Sequence, residues 1–135
     1  MTREALVSLA CEAMTRAYTP YSHFQVGAAL LTKAGKVYQG CNIENAAYTP
    51  TNCAERTAFF RAVYEGERDF AAIAVVGGLN GVVKGYAAPC GVCRQVMREF
   101  CGEDFLIHLW DGREYRTLTL GELLPLGFTG ADMIP

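Results

Sequence analysis

The chain has 135 residues, of which 51% are apolar and 19% charged, with 12 basic side chains against 14 acidic ones. That length is the size of one domain, read here as residues 1–135, and it buries roughly two thirds of its unfolded surface on folding. The composition excludes disorder and low-complexity classes. The longest apolar run, Ala71–Leu79, is far short of the ~20 residues of a membrane span, and the scattered, slightly negative charge offers no basic face for nucleic acid.

Helix and strand signals alternate along the chain. Leu6, Leu9, Ala10, Ala13, Met14 and Ala17 recur at helical spacing, which predicts a helix over 3–17 with Thr2 as N-cap. Residues 24–32 read as a buried strand, 33–36 as a turn and 36–42 as the returning strand of a hairpin. The polar segment 43–52 contains Pro50 and reads as a loop, followed by a helix over 53–64. A short apolar strand is expected at 70–76 and a glycine-rich loop at 77–85. Pro89 opens a helix over Cys90–Cys101, strands follow at 105–110 and 115–118, and a last short helix lies near 121–124. This order implies a mixed sheet with helices on its faces.

No basic segment followed by an apolar one opens the chain, so the expected address is a reducing cytoplasm. Its six cysteines are then expected as free thiols rather than disulfides. Cys90-Gly91-Val92-Cys93 is a C-x-x-C on the first turn of a helix, where unpaired N–H groups and the dipole favour thiolate. Alone it fits a redox pair, half of a zinc ribbon or two buried cysteines. Cys53-Ala54-Glu55 stands at a second predicted helix start and adds a third thiol. Three protein ligands leave the fourth position of a zinc ion open to water, the layout of a catalytic rather than a structural site. Glu55 stands close enough in sequence to serve that water. Asn52-x-x-Glu55 also fits a capping box, but the combination with Pro89-Cys90-x-x-Cys93 favours the catalytic reading.

That combination is the three-cysteine form of the zinc-deaminase signature. The chain resembles the cytidine deaminases of the small homotetrameric type. The resemblance runs from Tyr21 to Phe128 and rests on Tyr21-Ser22-x-Phe24-x-Val26-Gly27-Ala28-Ala29, Asn42-x-Glu44-Asn45-Ala46, Cys53-Ala54-Glu55-Arg56, Pro89-Cys90-Gly91-x-Cys93-Arg94-Gln95 and Leu123-Leu124-Pro125 followed by Phe128. It implies a three-layer α/β/α fold with a five-stranded mixed β-sheet. It further implies one Zn²⁺ per chain on Cys53, Cys90 and Cys93, with Arg56 hydrogen-bonded to cysteine sulfur. A zinc-activated water would add to C4 of cytidine or 2′-deoxycytidine, Glu55 would shuttle the protons, and uridine or 2′-deoxyuridine and ammonia would leave, in pyrimidine salvage. Phe24 would pack on the base, the backbone at Ala54 would meet its edge, and Asn42 and Glu44, alternating at a strand end and so expected on one face, would bind the ribose 3′-hydroxyl. Tyr48 and Phe128 would reach active sites of neighbouring subunits. The other cysteines, His23 and His108 fit no ligand spacing. Two further readings are a deaminase of a blasticidin-type nucleoside antibiotic, against which the Asn42-x-Glu44 pair argues, and a structural zinc module, which would need a fourth ligand.

Overall fold

Helix α1 (Arg3–Met14) is followed by the hairpin β1 (Phe24–Thr32) and β2 (Val37–Cys41), then α2 (Ala54–Tyr64), β3 (Phe70–Leu79), α3 (Gly91–Phe100), β4 (Leu106–Trp110), β5 (Tyr115–Thr119), a short α4 (Leu120–Leu123) and a 3-10 turn at Gly130–Asp132. The computed structural model describes residues 1–134. The strands form one five-stranded sheet in the order β2-β1-β3-β4-β5. β3 and β4 run parallel and the other neighbours antiparallel, so the sheet is mixed, as expected.

Side chains alternate across a strand, and the two central strands use both faces. Ala29 of β1 and Ala72, Ala74 and Val76 of β3 pack with Leu6, Val7, Ala10 and Met14 of α1. Ala28, Leu30, Ile73 and Val75 pack on the opposite face with Ala54, Ala58 and Phe59 of α2 and Cys93 and Met97 of α3. The result is three layers, with α1 alone on one side and the two motif-bearing helices together on the other. Phe59 anchors that second side, its ring 5.1, 6.1 and 6.0 Å from those of Phe70, Phe100 and Phe105. Strands buried on both faces read as continuous apolar runs, which is why β1 and β3 are visible in the sequence.

One glycine fixes how closely α2 approaches the sheet. A Cβ on Gly40 of β2 would stand 2.5 Å from both the Ala54 carbonyl oxygen and the Ala58 amide nitrogen. Only glycine lets the first turn of α2, and with it Cys53 and Glu55, settle onto β2.

The boundaries differ from expectation at a few points. The first helix stops at Met14 rather than residue 17, with Thr15 as its C-cap, and Tyr18 is drawn into a bridge with Ile43. β3 continues to Leu79, since Gly77 and Gly78 pair with Val26 and Gln25 of β1 instead of opening the loop. Gly78 leaves room for the returning Val82 carbonyl, so its glycine signals close backbone approach rather than a turn. The loop 43–52 is irregular, but Ile43 and Asn52 bridge across its ends.

Candidate active site

Two helix N-termini meet at the three motif cysteines. Cys53 is the N-cap of α2 and Cys90 the N-cap of α3, both in extended conformation, and neither side chain accepts from a backbone amide of its own helix. Their thiols are free to face each other. Cys93 lies one turn into α3 and is buried. The Cys90 sulfur stands 3.9 Å from that of Cys53 and 3.6 Å from that of Cys93. All three sulfurs lie within 4.8 Å of one another, and among the described residues no other group of three or more His, Cys, Asp or Glu side chains is so arranged. His23, His108, Cys11, Cys41 and Cys101 stand outside it. Cys101 caps the far end of α3 inside the core, where burial pushes its thiol up to about 12.

The chemistry of this donor set fits a soft divalent cation. The neighbouring Cys93 thiol and then Arg56 lower the Cys53 thiol to about 5, while Cys93 is raised by its closeness to Cys53 and by burial. Deprotonation is thus favoured at Cys53 and opposed at Cys93. A metal ion would draw off the remaining protons, since thiolate is the ligating form. Three thiolates and Zn²⁺ sum to −1. The Arg56 guanidinium offsets this charge, its Nη2 donating to the Cys53 sulfur at 3.1 Å.

Glu55 does not form the capping box that its spacing allows. Cys53, not Asn52, is the N-cap, and the Asn52 amide instead donates to Thr57 Oγ1 at 3.1 Å. The carboxyl of Glu55 is left buried at 4% exposure, beside the Cys93 thiol. Burial raises it to about 7. A carboxyl poised there serves equally as proton acceptor and donor near neutral pH.

A cavity of about 220 Å³ opens onto this centre, lined by Phe24, Val26, Asn42, Ala54, Glu55 and Ala88 among others, together with half-buried Cys53 and exposed Cys90. Phe24 is half-exposed and also walls a larger depression running over Gly77–Asn80 to Tyr86. Asn42 turns into the cavity, its Oδ1 accepting from the Val26 amide at 2.9 Å and its Nδ2 donating to the Phe24 carbonyl at 2.8 Å.

Glu44, two residues on, reaches the same segment at the start of β1. Past the end of β2, Ile43 bridges to Tyr18 and Asn52, and Glu44 lines a depression adjoining the cavity, with Tyr21, Ser22 and Tyr48. Its carboxylate accepts from the amides of Tyr21 and Ser22 at 3.0 and 3.1 Å and from the Ser22 hydroxyl, bonds that hold it below the ordinary carboxylate range. Thr51 borders both depressions. Tyr48 is 76% and Phe128 55% exposed, and neither ring belongs to a core cluster.

Two supporting residues carry no sequence signal of their role. Ser22 fastens Glu44. Arg94 donates to the carbonyls of Pro89 at 2.7 Å and Leu123 at 2.8 Å, tying the segment before Cys90 to the end of α4.

A buried carboxylate beside an open three-thiol centre defines a metal-dependent hydrolytic site. A family model described as the cytidine and deoxycytidylate deaminase zinc-binding region matches residues 1–109. A cytidine deaminase from Halalkalibacterium halodurans is 52% identical over 134 residues, covering 98% of each chain. The crystal structure of cytidine deaminase from Burkholderia pseudomallei superposes with a TM-score of 0.88 at 50% identity, over 95% of this chain and 100% of that one. A blasticidin-S deaminase from Bacillus cereus is more distant, 33% identical over 129 residues with 92% and 90% coverage. The chain belongs to the zinc-binding cytidine and deoxycytidylate deaminase family.

Proposed function

We propose that this protein hydrolyses the C4 amine of free cytidine and 2′-deoxycytidine, converting nucleoside and water into uridine or 2′-deoxyuridine and ammonia in pyrimidine salvage. The observation that carries the reading is that the buried Glu55 carboxyl lines one cavity with Cys53 and Cys90, whose sulfurs form a cluster with that of Cys93. Held by those thiolates, with Arg56 on the Cys53 sulfur, Zn²⁺ supplies Lewis acidity that makes water nucleophilic at neutral pH. Glu55 takes a proton from the attacking water and delivers it to ring N3, then takes the proton of the new C4 hydroxyl and passes it to the departing amine, so that the C4–N bond breaks, the C4 carbonyl forms and ammonia leaves. One carboxyl near 7 suits both directions of transfer.

Phe24 packs against the pyrimidine and the Ala54 backbone meets its edge. Asn42 and Glu44 bind the 3′-hydroxyl. Asn42 keeps one N–H and one lone pair beyond its bonds to β1, and ionised Glu44 keeps acceptor capacity. Their places in adjoining depressions, both bordered by Thr51, fit a ligand whose base sits in the cavity and whose sugar lies between Asn42 and Glu44. Tyr48 and Phe128, exposed in the single chain, close the sites of neighbouring subunits in a homotetramer. No helix among the described residues is long and apolar enough to cross a membrane, in keeping with a cytoplasmic enzyme of salvage.

The test is the ultraviolet spectrum of cytidine incubated with the zinc-loaded protein, with ammonia followed in parallel. The expected result is stoichiometric uridine and ammonia. An unchanged cytidine spectrum at one zinc per chain, with turnover of a cytosine-bearing nucleoside antibiotic, would replace the substrate assignment. Zinc held by four cysteines would overturn the catalytic reading altogether.

A further inference from the structure

The segment after α4 holds its main chain tightly while presenting an aromatic ring outward. Leu126 adopts a left-handed φ of 54° between Pro125 and Gly127, a conformation that costs a branched, non-glycine residue energy and persists only where its surroundings impose it. Two residues later the peptide unit that follows Phe128 is fixed at both of its polar atoms. Its carbonyl accepts from the Gln95 amide at 2.9 Å, and the next amide, of Thr129, donates to the Asp132 carboxylate at 2.7 Å. Reciprocal capping between Thr129 and Asp132 closes the following turn. Yet the Phe128 side chain is 55% exposed and packs in neither core cluster of its own chain. A backbone so restrained around an unburied aromatic is a presentation device, not a core contact.

The anchor comes from a specific place. Gln95 is two residues beyond Cys93 on α3, and its neighbour Arg94 grips the Leu123 carbonyl just before the strained turn. The helix that supplies two of the three zinc thiols thus also holds the tail at both ends of its turn. We propose that Gln95 is a positioning residue that sets the Phe128 ring for the substrate pocket of a neighbouring subunit. This rests on the reading that Phe128 acts across subunits. Gln95 itself touches no substrate, and its side-chain amide is the donor that the Phe128 carbonyl requires.

The experiment is a double-mutant cycle on the zinc-loaded enzyme with cytidine. Gln95→Glu keeps size but puts a carboxylate oxygen where the donor stood. It is expected to raise KM about three- to tenfold, the scale of one net hydrogen bond, with kcat, zinc content and Tm unchanged, and to speed amide exchange over residues 126–130. Gln95→Lys, which restores a donor, is expected to recover most of the KM. In a Phe128→Ala background Gln95→Glu is expected to add nothing, since the residue it positions is gone. Additive KM effects, or an unchanged KM in Gln95→Glu while Phe128→Ala raises it, would overturn the positioning role. A Phe128→Ala enzyme with wild-type KM would instead remove the cross-subunit reading beneath it.

Discussion

The floor of the site and its rim are built on opposite plans. At the floor, each element is over-determined from within one chain. Cys53 and Cys90 cap helices packed on the sheet, Cys93 and Glu55 are buried while Cys90 is exposed, and Arg56 reaches the Cys53 sulfur. At the rim, Phe24, Tyr48 and Phe128 are exposed, and Glu44 is held by bonds to the chain segment beside it. The contrast separates bond-making from recognition. In the proposed function, the carboxyl that moves protons needs a buried, fixed setting to hold a shifted pKa, whereas groups that admit a nucleoside stay at the surface.

The largest effects are expected at the floor. Glu55→Ala should lower kcat by about 10²- to 10⁴-fold, the range of general acid–base catalysis, while zinc stays at one per chain by atomic absorption and Tm is held. Near-normal turnover would remove Glu55 from the chemistry. Cys93→Ser should instead lose the metal and the activity together and lower Tm, because it deletes a ligand inside the core. A variant that kept tight zinc would show that the third ligand comes from elsewhere. The two substitutions thus divide the floor into a group that reacts and a group that holds.

Gly40→Ala probes the support beneath that floor. A methyl 2.5 Å from two backbone atoms of α2 must lift the helix, at about 1–3 kcal/mol for overpacking. Chemical denaturation should show the loss, and zinc affinity should fall with it, since Cys53 rides on the displaced turn. Full stability with unchanged zinc affinity would mean that α2 is free to shift without disturbing the centre.

The same contrast explains what the sequence discloses. The floor is legible because metal ligation and proton transfer demand particular residue types at particular helix positions, and Cys53, Glu55, Cys90 and Cys93 carry that demand locally. The sheet is legible because β1 and β3, buried on both faces, read as apolar runs. Asn42 and Glu44 are legible as a polar pair, but not the bonds that hold them, since Asn42 ties to Phe24 and Val26 and Glu44 to Tyr21 and Ser22 across the fold. Gly77 and Gly78 are misread as loop because a glycine marks close approach and turning alike. Ser22, Arg94 and Gln95 stand in recognisable motifs but their bonds are not legible, because their partners lie 22, 29 and 33 residues away and no local pattern encodes a bond that only the folded chain brings together.

The smallest predicted effect lies at the rim and tests the comparison most directly. Phe128→Ala should leave zinc, Tm and kcat near wild type and raise KM for cytidine about two- to thirteenfold, the worth of one aromatic stacking contact of about 0.5–1.5 kcal/mol. Thermal stability decides between the alternatives. A ring that sealed its own core would lower Tm on removal, whereas a ring exposed in its own chain should not. Mixed oligomers sharpen the point. If Phe128 acts across subunits, assembling Phe128→Ala chains with Glu55→Ala chains should yield some sites that combine an intact Glu55 with an intact Phe128 from a neighbour. Those sites should show near-wild-type KM, although neither parent enzyme contains a complete site. If Phe128 serves only its own chain, every active site in the mixture keeps the raised KM, and the rim is no more shared than the floor.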